Sequence, residues 1–111
     1  MANDDDATWN QFHNTVNMTA RELEKWLETD ESHGVGQKRR GQESTGHVSG
    51  RRIVAILKSK RSELSADDYA HMRKVVGYAK RHLAQRPSDD IQETDWRYSL
   101  MNWGHDPAKS G

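Results

Sequence analysis

Residues 65–87 read SADDYAHMRKVVGYAKRHLAQRP, and this stretch decides the fold class. Tyr69, Met72, Val76, Ala79 and Leu83 recur at intervals of three and four, with Val75 beside them, which marks one face of an α-helix. Arg73, Lys74, Lys80 and Arg81 project elsewhere. Ser65 and Asp68 form a capping-box pair, in which each side chain takes up a backbone amide left free at the helix start. Pro87 disfavours helical geometry in the residue before it, so this helix is expected to stop near Arg86.

The same period continues on both sides. Upstream, Ile53, Ile56 and Leu57 predict a helix over residues 50–62, with Ser49 as its cap and Leu64 just beyond. Trp9, Phe12 and Val16 lie on one face of a helix over residues 4–16, and Asp4, Asp5 and Asp6 suit its positive end. Thr19 and Glu22 open a helix over residues 20–30 with Leu23, Trp26 and Leu27 as its buried stripe. Downstream, Trp96, Leu100 and Trp103 predict a last helix over residues 95–103, stopped by Gly104 as a left-handed terminator. No run alternates with period two, so strands are not expected. The reading is all-α: one domain over residues 1–111, a compact bundle of four or five short helices. The first and last helices are expected to pack their tryptophans around the second and fourth.

Residues 31–48 differ. They carry Gly34, Gly36, Gly41 and Gly46 with Lys38, Arg39 and Arg40 and almost no apolar anchor. Such a stretch reads as a long flexible basic loop between the second and third helices, and loops of that length are commonly functional. Residues 104–111 read as a tail.

Composition sets further bounds. Apolar residues make up 32% of the 111, below the roughly 45% of typical globular chains. The core must therefore lean on Trp9, Trp26, Trp96, Trp103, Phe12, Tyr69 and Tyr78. There is no cysteine, which excludes disulfide scaffolds, thiolate zinc sites and thiol nucleophiles. No apolar run approaches the roughly 18 residues of a membrane span. The first residues are acidic where a signal peptide would be basic, so a cytoplasmic protein is expected. The six histidines show neither H-x-x-x-H nor H-E-x-x-H spacing, so no metal or other cofactor is expected. No nucleophile elbow and no phosphate-binding G-x-x-x-x-G-K-[ST] loop occurs. The expectation is a non-enzymatic protein with no small-molecule substrate.

The zero net charge hides a segregation. Residues 1–34 sum to −6, residues 35–86 to +9 and residues 87–111 to −3. Fields act locally, so a basic stretch draws polyanions whatever the total charge. Within that stretch Ser49-Gly50-Arg51-Arg52 stands out at the predicted start of a helix. Free amides there attract anions, and two arginines in a first turn become favourable when a phosphate sits between them. Gly50 would let a ligand approach the backbone. Lys38, Arg39 and Arg40 lie in the loop before it, and Lys58 and Arg61 follow on the same helix. No aromatic residue lies between Ser32 and Asp68 to stack on single-stranded bases. Backbone contacts on duplex DNA are thus the expected mode, with weak sequence preference. RNA shares the electrostatics.

Two resemblances attach to these residues. Met18-Thr-Ala-Arg-Glu-Leu-Glu-Lys-Trp-Leu, a glycine-containing loop, and Ser49-Gly-Arg-Arg-Ile-Val-Ala-Ile-Leu resemble the SAP and related helix–extended-loop–helix modules. That resemblance covers about forty residues, with a much longer loop here. It implies phosphate contacts at Gly50, Arg51 and Arg52 and core packing at Leu23, Leu27, Ile53 and Leu57. More widely, residues 18–27, 49–57, 64–87 and 96–107 resemble a family of small, uncharacterised, mainly bacterial proteins often labelled DNA-binding. Trp96-Arg-Tyr-Ser-Leu-Met-Asn-Trp-Gly-His-Asp-Pro is the most distinctive stretch. The expected function is low-specificity duplex DNA binding by a nucleoid-associated protein, through Lys38, Arg39, Arg40, Ser49, Gly50, Arg51, Arg52, Lys58 and Arg61. The competing reading is a protein-interaction or structural module, whose basic surface on residues 73–86 pairs with the acidic residues Glu24, Glu28, Asp30 and Glu31 or with a protein partner.

Overall fold

The computed structural model describes residues 2–35, 45–88 and 90–109. These form six α-helices in chain order: α1 (Ala2–Thr15), α2 (Ala20–Leu27), α3 (Asp30–Gly34), α4 (Thr45–Lys58), α5 (Ala66–Leu83) and α6 (Asp95–Asn102), with a short 3-10 turn at Arg61–Glu63 between α4 and α5. No strand occurs among the described residues. The all-α bundle read from the sequence is the fold observed.

Both predicted capping boxes close. Glu22 N–H donates to Thr19 Oγ1 at 3.1 Å and Thr19 N–H donates to Glu22 Oε1 at 2.8 Å. At α5 the Ser65 hydroxyl accepts from Asp68 N–H at 3.1 Å while the Asp68 carboxylate accepts from Ser65 N–H at 2.9 Å. Ser65→Ala removes one of these bonds and is expected to lower stability by about 1 kcal/mol, read from urea unfolding. Ser65→Asp, which keeps an acceptor at the cap, should recover most of the loss.

The helices bury the predicted stripes. Phe12, Leu23, Ile53, Met72, Val75 and Leu100 are wholly inaccessible to solvent. α1 packs along α5 and α2 along α4, while α6 lies across α2, α3, α4 and α5. Of the expected packing of the first and last helices around the second and fourth, α6 meets both α2 and α5, whereas α1 packs on α5 and not along α2. Of the four tryptophans Trp103 is buried, and Trp9, Trp26 and Trp96 are half-buried.

Two local devices hold α6 in place. At its start, Trp96 Nε1–H donates to the His82 carbonyl at 2.8 Å and His82 Nε2–H donates to the Trp96 carbonyl at 2.8 Å. At its end, Gly104 adopts φ +84°, the left-handed conformation that glycine takes without steric penalty. The Gly104 carbonyl then accepts from Asn17 and Met18 N–H. Asp106 joins this corner, pairing with Arg97 at 3.0 Å and accepting Asn17 Nδ2–H through its carbonyl at 3.0 Å. Residues 104–109, read from the sequence as tail, are therefore stitched onto the α1–α2 connection.

The largest departure lies between α2 and α4. Thr29 caps a separate helix, α3, by accepting Ser32 N–H at 3.1 Å, so the predicted helix over residues 20–30 ends early. α4 begins at Thr45 rather than Gly50. Of the predicted loop, residues 31–34 and 45–48 are helical, and residues 36–44 lie outside the described residues. Glycines weaken a helix by about 1 kcal/mol each relative to alanine, which is why the stretch reads as loop. Here tertiary packing reverses the preference. Gly46, Ser49, Gly50 and Ile53 recur at three- and four-residue spacing on the face of α4 that meets Leu27, Asn102 and Trp103. A Cβ on Gly50 would stand 2.6 Å from the Asn102 carbonyl oxygen and 2.7 Å from Leu27 Cδ2.

Candidate nucleic-acid interface

The corrected start of α4 changes the chemistry expected of Ser49 and Gly50. Both are buried in the second turn of the helix, where the amides are already used within the helix. Ser49 is not an N-cap, Gly50 is not an approach point for a ligand, and Arg51 and Arg52 do not sit in a first turn. Lys38, Arg39 and Arg40 lie outside the described residues.

The remaining predicted cations separate. Consecutive residues on a helix are about 100° apart, and Arg51 and Arg52 enter different clefts. Arg51 lines a cleft of about 470 Å³ with Glu24, Glu28, His33 and His47. Arg52 lines one of about 320 Å³ with Ser49, His71, Lys74 and Trp103. Lys58 pairs with Glu24 at 2.9 Å. Arg61 pairs with Asp6 and lies 4.6 Å over the Trp9 ring. Those two pairs tie the basic middle of the chain to its acidic first third.

What the fold does bring together is a different set. The Arg52 cleft adjoins a second of about 420 Å³ lined by Lys74, Tyr78, Arg81, Ser99 and Asn102, and the two share Thr45, Lys74 and Trp103. Among the described residues, no aspartate or glutamate lines either one. Asp68 pairs with Arg52 at 3.4 Å. The floor is aromatic: Tyr78 stacks on Trp103 with centroids 4.2 Å apart. Lys74, Tyr78 and Arg81 follow one another at four and three residues on α5. That spacing is visible in the sequence, but only the Ser49–His71 and Arg52–Asp68 contacts between α4 and α5 add Arg52 to the same surface.

His71 lines the smaller cleft. Its Nε2 lies 2.8 Å from Ser49 Oγ. Burial, then the nearby Arg52 and Lys74 charges, hold its pKa below the ordinary imidazole value, with the Ser49 hydrogen bond and Asp68 opposing. Among the described residues four other histidines donate to backbone carbonyls: His13 to Trp9 at 2.9 Å, His47 to Leu27 at 2.7 Å, His82 to Trp96, and His105 to Thr15 at 2.6 Å. Among the described residues no group of three histidine, aspartate or glutamate side chains is placed to hold a metal ion. No described helix is long and apolar enough to cross a membrane.

Comparison with known proteins returned one family. The model described as "Protein of unknown function (DUF3140)" matches residues 11–101. No curated protein and no solved structure matches the chain.

Proposed function

Since the chain belongs to the DUF3140 family, whose description leaves its role open, we propose a function from its own surface: non-enzymatic, low-specificity binding of duplex DNA through backbone phosphates. The observation that carries this reading is the pair of adjoining clefts between α4, α5 and α6. They draw Arg52, Lys74 and Arg81 together with no acid among the described residues of their lining. A phosphate backbone meets such a surface favourably, and its contacts carry no sequence information. Trp103 is buried and Tyr78 stacks on both Trp103 and His82, which leaves little ring surface for a splayed base; this favours a duplex over a single strand. Lys38, Arg39 and Arg40 precede Thr45, which lines both clefts, by five to seven residues in sequence.

A second reading rests on the ion pairs Lys58–Glu24 and Arg61–Asp6. They spend part of the segregated charge inside the molecule, as a structural or protein-interaction module would. Exposed pairs of this kind are worth about 0–1 kcal/mol, too little to withhold these cations from a stronger partner.

Titration of a short duplex at several salt concentrations separates the two. Contact with about five phosphates gives a log–log slope of roughly −4 to −5. Arg52→Ala with Lys74→Ala should flatten it by about two units, whereas Lys58→Ala should leave it nearly unchanged. Absence of binding at low salt would sink the DNA reading in favour of the second.

A further inference from the structure

We infer that occupation of the α4–α5 cleft by a phosphate group is coupled to uptake of one proton by His71. The inference rests on the phosphate-binding reading above and names a regulation of that site: binding strengthens as pH falls.

The geometry supplies every part. His71 is half-buried on α5, with its Nε2 held 2.8 Å from Ser49 Oγ on α4. The cleft it lines measures about 320 Å³ and opens between Arg52 of α4 and Lys74 of α5. Among the described residues the charged groups that act on the ring are Arg52 from α4 and Lys74 and Asp68 from α5 itself; the end of α6 contributes Trp103, which carries no charge. Without an anion between them, two cations and burial oppose a third positive charge. A phosphate between Arg52 and Lys74 cancels both repulsions and puts an anion beside the ring, which favours the imidazolium. The protonated ring then donates to the phosphate or to Ser49 Oγ, which accepts. His71 thus has a lower pKa in the free protein than in the complex. Between those two values each unit of acidification takes up as much as one proton on binding and tightens it by as much as tenfold.

An opposite charge at close range raises a pKa by about 1–3 units, so the effect is measurable. The first arm follows the His71 ring by NMR through a pH titration of the full chain, in chloride and in inorganic phosphate at matched ionic strength. Phosphate is expected to raise the His71 midpoint by about one unit. The second arm measures duplex affinity at several pH values for the wild-type chain and for His71→Gln, which keeps a hydrogen-bonding group for Ser49 but cannot charge. The wild-type chain should gain roughly tenfold in affinity on acidification beyond the gain of the variant.

A His71 midpoint that neither phosphate nor duplex moves would overturn the inference. So would duplex binding with the same pH profile in both proteins, an outcome that leaves the DNA reading standing. If the duplex fails to bind while phosphate still raises the His71 midpoint, the DNA reading falls and the proton-coupled phosphate site stands.

Discussion

Asn102→Ala is expected to lower the unfolding free energy by about 3 kcal/mol. Asn102 is wholly inaccessible to solvent at the last turn of α6. Its Oδ1 accepts from Trp26 Nε1–H at 2.7 Å and from the Ser32 hydroxyl at 2.6 Å, and its Nδ2–H donates to the Ser32 carbonyl at 3.2 Å. One amide therefore joins α6 to both α2 and α3. Truncation leaves the Ser32 hydroxyl and carbonyl without these partners in a dry site, at about 1–3 kcal/mol for each buried group left unpaired. The half-buried Trp26 N–H can turn to water, so Trp26→Phe should cost only about 1 kcal/mol. Urea unfolding of the three proteins checks the order. Asn102→Asp adds a signature that a mere volume change would not give. The carboxylate still accepts both donors but cannot donate to Ser32, and burial disfavours its charge. Its pKa in the folded state lies above the unfolded value, so the neutral acid is the form that folding favours. The variant is expected to gain stability as pH falls through that folded-state pKa and to lose it as pH rises. A stability difference from wild type that is flat from acid to neutral pH would contradict this account of Asn102.

Why was this polar lock not visible beforehand, when the helices around it were? The period of Tyr69, Met72, Val76 and Ala79 is a property of neighbouring residues, and so are the Thr19–Glu22 and Ser65–Asp68 boxes. Each can be read within four residues. Asn102 finds Ser32 and Trp26 across 70 and 76 positions, and nothing in Met-Asn-Trp announces a buried amide. The candidate site divides the same way. Lys74, Tyr78 and Arg81 share a helix face by spacing alone, whereas their union with Arg52 depends on how α4 lies against α5. The sharpest sequence expectation, two arginines at a helix start, failed on the register of one helix. Glycine was taken for its local preference, while its use in α4 is to let three helices approach.

That use of glycine sets the second large expectation. Gly50→Val should destabilise the protein by more than about 3 kcal/mol, and Gly50→Ala by up to about 2 kcal/mol. An alanine Cβ at Gly50 meets the Asn102 carbonyl oxygen at 2.6 Å and Leu27 Cδ2 at 2.7 Å. The carbonyl belongs to backbone at the end of α6 and cannot swing aside as a side chain could. Relief requires α4 to back away from α2 and α6, loosening Leu27, Ile53 and the Asn102 lock together. Overpacking of this kind costs about 1–3 kcal/mol, against which alanine recovers about 1 kcal/mol of helix propensity. Valine adds two methyl groups to the same crowded point and recovers less propensity, because branching at Cβ restricts its rotamers in a helix. Gly77 in α5 is the matched control. A Cβ there meets only the end of the Arg81 side chain, at 3.3 Å, and that end can move. Gly77→Ala should therefore stabilise by about 0.5–1 kcal/mol. The pair separates packing from propensity in one set of urea melts. If α4 began at Gly50, as its sequence suggests, the glycine would occupy a helix end, and Gly50→Ala would shift stability by only a few tenths of a kcal/mol. Opposite signs for Gly50→Ala and Gly77→Ala would fix the start of α4 upstream of Gly50. Equal small effects would return Arg51 and Arg52 to a helix N-terminus and restore the phosphate site first read from the sequence.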